Sequence, residues 1–561
     1  MSAPQSRLDR IDWSSYRATV TADPPSDIPA VKPARSARSG MIRSSMVYSS
    51  LTLVSRFMGF ARDLVVTYYM GASATFVADA YTTAFAFPNL FRRIFAEGAF
   101  AAAFVPAYAK SLEKDGEAVA DVLAADAMAA LLAMTVAITV IAELTMPWIV
   151  ALYSPGFAAV PGKAQLTITL TMITMPYLPC MAIYAHLSGV LNARNRFVLS
   201  AAAPILLNIW TLVAVLPTHT PRDAAVSASI GVIAAGVTQA ALLWWGVRRS
   251  GADVDWRLPR FTPEIRQLIA LALPGAFAAS VSQINVFVSQ FLVSHVNGAR
   301  TWLAVCDRLY LLPQGLVGVA IGVALLPRLS RAVHAEDGRG AQSAMDEALT
   351  FSMSLTLPAA AAMIAMPFFL TDGLYTRGEF HSFDALQTAM ALQQYGWGVP
   401  AFVLAPLLSR AFFARQDTRT PMNFAIVSVV VNVVAGIGLF HLVGVAGIAA
   451  ATSLASWVNV LLMLGTLTRR GAYSPSPAAW SRLGRGLLAS VALGALLAMA
   501  SHFRPVIEHL FAGVHIGRAI RAKELAVAAT TLAAALLYPL LLVGAGGLTL
   551  AELRGAMRRS K

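Results

Sequence analysis

Long apolar stretches separated by short polar breaks make up almost the whole chain from Ile42 onward. The stretches are roughly 20 to 33 residues long, and about 20 residues suffice for an α-helix to cross the hydrocarbon core of a bilayer. Strands of a membrane barrel would need only about ten residues with an alternating pattern. The pattern therefore predicts an all-α polytopic membrane protein with about fourteen transmembrane helices. The predicted helices lie approximately at 42–70, 75–105, 117–149, 164–192, 198–217, 223–247, 263–295, 301–328, 344–371, 384–413, 421–441, 444–467, 483–502 and 524–545.

The two ends of the chain differ from this pattern. Residues 1–41 are rich in Pro, Ser, Asp and Arg and have no apolar periodicity, so we expect a disordered cytoplasmic tail. No apolar core follows their first charges, and we therefore expect no secretory signal peptide. Residues 548–561 are predicted to form a short basic tail on the cytoplasmic side.

Composition narrows the class of protein. Hydrophobic residues make up 57% of the chain and charged residues only 13%, whereas soluble domains carry roughly a quarter charged residues. These values exclude both a soluble enzyme and a disordered chain. The two cysteines, Cys180 and Cys306, lie in apolar stretches, so neither a disulfide framework nor a metal site is expected.

The charge distribution predicts an orientation in the membrane. The formal net charge is +14, which in a soluble protein would suggest a nucleic-acid partner. Here Lys and Arg concentrate in alternate breaks, as they do in cytoplasmic loops, so we expect a cytoplasmic N-terminus and no nucleic acid. One break has basic residues on the predicted outer side, which leaves the placement of the last helical hairpin open. These residues are Arg504, Arg518, Arg521 and Lys523.

An internal repeat divides the chain into two related halves with an offset of 221 residues. A half of about six helices has even parity, so the second half enters the membrane in the same orientation as the first. The repeat predicts two parallel six-helix lobes around a central cavity, at 42–250 and 251–470, followed by two additional helices at 471–547. The residue pairs at this offset include Pro106 and Pro327, Pro179 and Pro400, Ser188 and Ser409, and Arg194 and Arg415.

Ionisable side chains inside the predicted helices mark a candidate site. Each costs about 2.5–3.5 kcal/mol to insert, so such residues serve a function by default. Guanidinium groups bind phosphate oxygens bidentately, and a cavity lined by them would attract an anionic ligand. Asp63 and Arg93 are instead interpreted as partners in structural ion pairs. The candidate site residues are Arg56, Arg62, Asp79, Arg92, Glu97, Asp307, Arg308 and Arg410.

Three helix-weakening residues lie among these charges. Gly59 separates Arg56 from Arg62, while Pro88 and Pro313 interrupt apolar helices near the other charged positions. Kinks or local unwinding are tolerated within a membrane where they line a cavity. We therefore expect Gly59, Pro88 and Pro313 to act as hinges.

The sequence contains no constellation typical of an enzyme. P-loop, HExxH and CxxC motifs are absent, and the short connections leave no room for a sizeable catalytic domain. We expect a transporter without catalytic residues, cofactor or resident metal. Active transport would then be driven by a monovalent cation or by the membrane potential, which contributes about 2.3 kcal/mol per charge per 100 mV.

Two sequence blocks resemble a known family closely. SRFMGFARD at 55–63 and ADAYTTAFAFPNLFRRIFAEGAFAAAFVP at 78–106 are similar to the MurJ/MviN family of bacterial lipid II flippases, and DRLYLLPQG at 307–315 and ARQDTRTP at 414–421 are further matches. The resemblance covers about residues 42–545. It implies the fold of the MOP exporter superfamily, with two six-helix lobes and two C-terminal helices whose groove holds a lipid tail.

The resemblance also implies a substrate and a set of functional residues. The substrate would be lipid II, the undecaprenyl-pyrophosphate-linked peptidoglycan precursor, carried to the outer leaflet of the cytoplasmic membrane with cell-wall synthesis proteins as partners. Ala86 stands where some relatives carry Lys, and we expect Arg410 to restore the lost charge. The family's important positions fall here on Ser55, Arg56, Arg62, Asp79, Asn89, Arg92, Glu97 and Arg308.

Two other classes of protein stay open at this point. A different MOP exporter, either a polysaccharide-unit flippase or a cation-coupled drug antiporter, would have the same fold but a cavity without the arginine motifs. A membrane enzyme acting on polyprenyl carriers would need acidic or His residues clustered at one membrane face, which the sequence does not show.

Overall fold

The computed structural model describes residues 35–91, 100–335, 337–514 and 521–547, and within them the fold is built from α-helices. The only β-type pairing there is a single bridge between Arg377 and Phe380. The helices are α1 (Arg35–Met70), α2 (Val77–Phe91), α3 (Ala101–Lys114), α4 (Glu117–Leu144), α5 (Met146–Tyr153), α6 (Lys163–Thr174), α7 (Tyr177–Ala193), α8 (Val198–Ala202), α9 (Pro204–Val215), α10 (Pro221–Arg249), α11 (Pro263–Val293), α12 (Ala299–His334), α13 (Gly338–Ala365), α14 (Pro367–Tyr375), α15 (Ser382–Gly396), α16 (Val399–Phe413), α17 (Arg419–Val443), α18 (Val445–Arg469), α19 (Pro477–His502), α20 (Arg504–Leu510) and α21 (Ala522–Gly544).

The predicted all-helical polytopic fold is confirmed. Each of the fourteen predicted stretches coincides with one helix or with two consecutive helices. Among the described residues, nine helices are long and apolar enough to cross a membrane, or ten if the bent pair α15 and α16 counts as one span. This criterion gives fewer spans than the sequence pattern because several stretches are divided into shorter helices or carry charges in mid-helix, as α1 does at Arg56, Arg62 and Asp63.

The chain divides into two compact units, Met1–Val47 and Tyr48–Lys561. Helix α1 begins at Arg35, inside the segment expected to be disordered, so that expectation is wrong for residues 35–41. Arg has a high helix propensity, which allows a helix to extend beyond its apolar part. The other predicted tail residues, 1–34 and 548–561, lie outside the described residues, and the predicted lobe boundaries stay predictions.

The sequence repeat reappears in the backbone. Asn195 and Gln416, which are 221 positions apart, both adopt the left-handed conformation, with φ of 59° and 61°. The residue after each donates its N–H to a carbonyl five residues back, from Arg196 to Leu191 and from Asp417 to Phe412. A left-handed residue that is not glycine is uncommon, so its recurrence at this offset supports the repeat.

The turn that follows Gln416 is fixed by the carboxylate of Asp417. Asp417 accepts hydrogen bonds from the Thr420 N–H at 3.0 Å and hydroxyl at 2.7 Å, and forms an ion pair with Arg470 at 2.7 Å. These contacts, first of all the backbone hydrogen bond, lower the pKa of Asp417 to about 2. The carboxylate therefore stays ionised and keeps the turn attached to the end of α18.

A carboxylate in each half also fixes the linker that follows the sixth predicted helix. Asp121 on α4 accepts the N–H of Asp253 at 2.8 Å. Asp346 on α13 accepts the N–H of Ser476 at 3.4 Å and the Tyr473 hydroxyl at 2.8 Å. The two halves thus attach their following segments at corresponding places.

The repeat-related arginines bind the same linkers. Arg194 donates to the Ser250 carbonyl at 3.4 Å, and Arg415 donates to the Ala472 carbonyl at 2.8 Å. Each acceptor lies at the start of the linker after the sixth predicted helix of its half. α4 and α13 are therefore equivalent helices. α11 and α19, which follow the two linkers, are equivalent in the same way.

The last two helices are attached through the basic residues that do not fit the predicted orientation. Arg504, on the short helix α20, forms ion pairs with Asp372 on α14 and with Glu508 at 2.6 Å. Lys523 donates to the Thr376 carbonyl. These positive charges have polar partners and hold α20 and α21 against α14, while Arg518 lies outside the described residues.

Replacing Arg504 with Ala should loosen the C-terminal hairpin. The Asp372 side chain is only 9% exposed and would lose its guanidinium partner, which we expect to cost about 1–3 kcal/mol. Thermal unfolding of the purified protein, followed by tryptophan fluorescence, should show a lower midpoint. Arg222→Ala, at an exposed arginine, is the matched control. Equal midpoints for the two variants would show that the Arg504 ion pairs do not hold the hairpin.

Candidate functional site

A cavity of about 390 Å³ lies between α1, α2, α9 and α12. Most of the described sequence-predicted site residues meet there, although they come from both halves of the chain. Its lining includes Ser55, Arg56, Gly59, Arg62, Asn89 and Arg308. Arg92 and Glu97 lie outside the described residues.

One carboxylate connects two of the cavity arginines. The Arg62 guanidinium donates to one oxygen of Asp63 at 2.7 and 3.0 Å, and Nε of Arg308 forms an ion pair with the other oxygen. Asp63 and Arg62 lie on α1, whereas Arg308 lies on α12, so the carboxylate bridges the two halves. The interpretation of Asp63 as an ion-pair partner is confirmed.

The cavity is electropositive. Arg56, Arg62 and Arg308 contribute three guanidinium groups, and Asp63 offsets only one of these charges. Charges of one sign in a low-dielectric cleft focus the field and raise the local concentration of the opposite ion. The lining also includes Leu311 and Leu312, which limit hydration of the charges.

A glycine on α12 makes room for Arg56. A Cβ at Gly315 would overlap the Arg56 guanidinium, so the guanidinium approaches α12 this closely because position 315 has no side chain. Sequence reasoning missed Gly315, although it stands two residues after Pro313 in a motif that was already identified.

Asn208 on α9 is a second residue that the sequence analysis missed. Its side-chain amide donates to the Ser55 carbonyl at 3.1 Å and lies against Gly59. A lone Asn in an apolar helix was the available signal, because a polar group in a membrane needs a partner. Asn208 fixes α9 to the part of α1 that carries Arg56 and Arg62.

Asp79 does not line the cavity, so its assignment to the binding set is not supported by its position. It is fully buried and accepts the N–H of Gly298 at 2.8 Å and both the N–H and hydroxyl of Thr301, at 2.9 and 2.7 Å. Gly298 is the N-cap of α12, so Asp79 satisfies the unpaired donors of that helix N-terminus from across the repeat.

Lys163 completes this buried network and was also missed. Its ammonium group lies 2.7 Å from Asp79 and 2.9 Å from the side-chain oxygen of Asn297, over the ring of Phe157. Lys163 is fully buried, although it stands at the edge of an apolar stretch where the sequence suggests an exposed residue. The ion pair between Lys163 and Asp79 cannot be predicted from the sequence, because it depends on the folding of the segments around 79, 163 and 298 against one another.

Asp384, on α15 of the second half, binds a residue of the first half, as Asp79 of the first half binds residues of the second. It accepts the N–H and hydroxyl of Ser73, at 3.0 and 2.6 Å, and the indole N–H of Trp302 at 2.9 Å. We call Asp79, Lys163, Asn297, Ser73 and Asp384 the polar seal, because they join the two halves beyond one end of the cavity.

A smaller pocket of about 90 Å³ lies between the cavity and the polar seal. Its lining includes Arg62, Asp63 and Arg308, and also Thr301, whose backbone and hydroxyl bind Asp79. The ion-paired arginines therefore border both the cavity and the pocket that leads to the seal.

The remaining predicted site residues fall elsewhere. Asp307 and Arg410 do not line the cavity. The expectation that Arg410 restores a positive charge to the cavity is therefore wrong. Arg410 lies on α16, and one nitrogen of its guanidinium group is buried. The helices run continuously through Gly59, Pro88 and Pro313, so the local unwinding considered for the two prolines is not observed, while a hinge role stays a prediction. No group of three or more His, Cys, Asp or Glu residues suited to a metal occurs in the described parts of the chain.

Comparison with known proteins identifies related chains. The model of the family "Lipid II flippase MurJ" matches residues 66–516. A probable lipid II flippase MurJ of Rhizobium meliloti is 37% identical over 92% of this chain and 96% of its own length. The lipid II flippase MurJ of Burkholderia cenocepacia is 32% identical over 79% of this chain and 86% of its own length.

Two solved structures share the fold. A lipid II flippase MurJ in an inward closed conformation has a TM-score of 0.69 at 23% identity, covering 88% of this chain and 98% of that one. An inward-facing multidrug resistance MATE transporter of the MOP superfamily has a TM-score of 0.64 at 15% identity, covering 76% and 98%. At these identities the likeness concerns the arrangement of helices.

Replacing Lys163 with Met should destabilise the protein strongly. The change leaves Asp79 as a buried carboxylate without a cationic partner, which typically costs about 3–5 kcal/mol. The midpoint of thermal unfolding should fall, and Lys163→Met combined with Asp79→Asn should recover part of the loss, since both charges are then removed. Lys110→Met, at an exposed lysine, is the control. A Lys163→Met midpoint equal to that of the control would contradict a stabilising role.

Proposed function

Since the chain belongs to the MurJ family of lipid II flippases, we propose that it carries lipid II from the inner to the outer leaflet and binds the diphosphate of this lipid in the arginine cavity. Family membership makes it a transporter rather than an enzyme, and a multi-pass protein of the bacterial inner membrane. The observation that carries the binding proposal is the convergence of Arg56, Arg62 and Arg308 on one cavity.

The arginines suit a diphosphate in charge and in geometry. A planar guanidinium donates two parallel hydrogen bonds to phosphate oxygens, and charge-assisted bonds of this kind are roughly twice as strong as neutral ones. Asn89 and Ser55 also line the cavity and supply polar groups for the remaining headgroup. The headgroup enters the cavity while the polyprenyl tail stays in the lipid or follows the groove of the last two helices.

Substrate binding exchanges one anion for another. In the structure Asp63 is paired with both Arg62 and Arg308. An arriving diphosphate competes with the Asp63 carboxylate for these guanidinium groups. Because Arg62 and Arg308 lie on different halves, the exchange changes an ion pair that holds α1 and α12 together, and it thereby couples binding to movement of the halves.

The direction of transport follows from the orientation. With the Arg-rich breaks and the N-terminus in the cytoplasm, the polar seal lies on the outer side and the cavity accepts lipid II from the inner leaflet. Rocking of the halves opens the polar seal and releases the headgroup outside, in an alternating-access cycle. The membrane potential or a monovalent cation supplies the driving force, and cell-wall synthesis proteins receive the product.

A cavity rich in arginine disfavours the drug antiporter that the sequence left open. The likeness to a MATE transporter concerns the fold, and a cationic drug would be repelled by Arg56, Arg62 and Arg308. The charge of the cavity therefore favours an anionic substrate.

Substituting Ala separately for Arg56, Arg62 and Arg308 should abolish growth support without loss of protein. Each loses charge-assisted hydrogen bonds worth about 1.5–3 kcal/mol, so affinity for the diphosphate should fall by about 10- to 100-fold. The measurement is complementation in cells depleted of their own flippase, together with the amount of lipid II in the outer leaflet. Arg222→Ala should behave as wild type. Normal complementation by all three variants would refute diphosphate binding in this cavity.

Gly315→Ala should impair transport by displacing Arg56. The new methyl group would overlap the guanidinium, which can swing away because it is the end of a flexible side chain. We therefore expect unchanged thermal stability but a defect that approaches that of Arg56→Ala. Gly438→Ala is the matched control, because a Cβ there meets no neighbouring atom. Wild-type transport by Gly315→Ala would show that Arg56 functions without this close approach to α12.

A further inference from the structure

A second, almost entirely apolar groove lies between α4 and α11. Its volume is about 440 Å³, within the range of roughly 300–1,000 Å³ typical of small-molecule sites. Ala130, Ala133 and Met134 line it from α4, while Ile269 and Leu273 line it from α11. It shares no lining residue with the arginine cavity, so it is a separate feature of the molecule.

Direct packing between α4 and α11 closes only part of the interface that the groove follows. Near the start of α11, Ile265 and Leu268 are buried in a cluster with Ala124 and Met128 of α4. One to two turns farther along, α4 presents the small side chains Ala130 and Ala133, and Ala272 lies among the facing residues of α11. Small residues on both sides leave space that the protein does not fill itself.

The repeat shows that the equivalent interface in the second half is filled by protein. There α19 packs on α13, with Leu493 and Leu497 buried in a cluster that includes Ala362 and Met366. Hydrocarbon left without packing partners loses dispersion contacts, so an unfilled groove between α4 and α11 is unfavourable. An apolar chain from the surrounding bilayer would supply the contacts that leucines supply in the second half.

A positive charge stands at one end of the groove. Arg260 is the one charged residue among the described residues that line it, and it is followed by Phe261. Trp256 and Leu258, on the same linker, are 58% and 83% exposed. Exposed aromatic residues beside Arg are typical of the membrane interface, and basic pockets between transmembrane helices bind anionic lipid headgroups.

We propose that this groove binds one acyl chain of an anionic glycerophospholipid, whose phosphate is held by Arg260. The apolar walls between α4 and α11 match the chain, and the charge of Arg260 matches the phosphate. The lipid would fill the gap between the first half and α11, the helix that begins the second half. Such a site differs from lipid II binding, because it uses neither the arginine cavity nor the C-terminal hairpin.

Native mass spectrometry of the purified full-length protein tests this proposal. The protein is offered phosphatidylglycerol, phosphatidylcholine and undecaprenyl phosphate in equal amounts, and one phosphatidylglycerol should be retained in preference to the others. Arg260→Gln should weaken this retention about fivefold, as expected for one basic residue at a membrane surface. Ala133→Phe should abolish the retention because the ring occupies the groove.

Two matched variants serve as controls. Arg469→Gln removes an exposed arginine at the end of α18, and Val136→Phe enlarges an exposed side chain of α4 that does not line the groove. Both should retain phosphatidylglycerol as wild type does. Thermal unfolding of all variants verifies that Ala133→Phe is folded, and Arg260→Gln tests the site without adding bulk.

Three outcomes would overturn the proposal. The first is equal phosphatidylglycerol retention by Ala133→Phe and Val136→Phe. The second is equal retention of phosphatidylglycerol and phosphatidylcholine by the wild-type protein, which would remove the role of the charge. The third is preferential retention of undecaprenyl phosphate, which would assign the groove to a polyprenyl chain. None of these readouts measures flipping, so failure here is distinguishable from failure of the proposed function.

Discussion

A single carboxylate shared by two arginines makes the cavity possible. Arg56, Arg62 and Arg308 face one space within the membrane, where like charges repel strongly because the dielectric constant is low. Asp63 offsets one of these charges and leaves the cavity positive enough to attract an anion. Since Arg308 lies on α12 and the other residues on α1, the same contact also joins the two halves.

The acids inside the membrane have two distinct roles, and the number of their partners distinguishes them. Asp79 is fully buried, with Lys163 and three donors from Gly298 and Thr301 around it. No site remains there for a ligand to compete for. Asp63 is 19% exposed and borders open space, so an incoming phosphate can replace it. Asp79 is therefore suited to holding the two halves together at the polar seal, and Asp63 to exchanging its arginine partners with a bound phosphate.

The repeat explains why the two halves are alike and where they differ. Asp121 and Asp346 fix equivalent linkers, but the helices that follow have different surroundings. α19 packs closely on α13 and can move with it as one body. α11 belongs to the other half from α4, so an interface filled tightly by side chains would restrain the rocking of the halves. A groove filled by a lipid chain limits the fixed contact between these helices to the packing near the start of α11.

The helical class, the apolar stretches, the repeat and the arginines were all predictable from the amino-acid pattern. These features are local, because crossing a bilayer requires about 20 apolar residues and any charge within them is costly. The packing of the helices was needed to assign Asp79 to the polar seal and to place Asp63 beside the cavity. The same holds for Lys163 and Gly315, whose partners are far away in the chain. An ion pair or a close approach between distant helices leaves no periodic pattern in the sequence, since it depends on which helix faces meet.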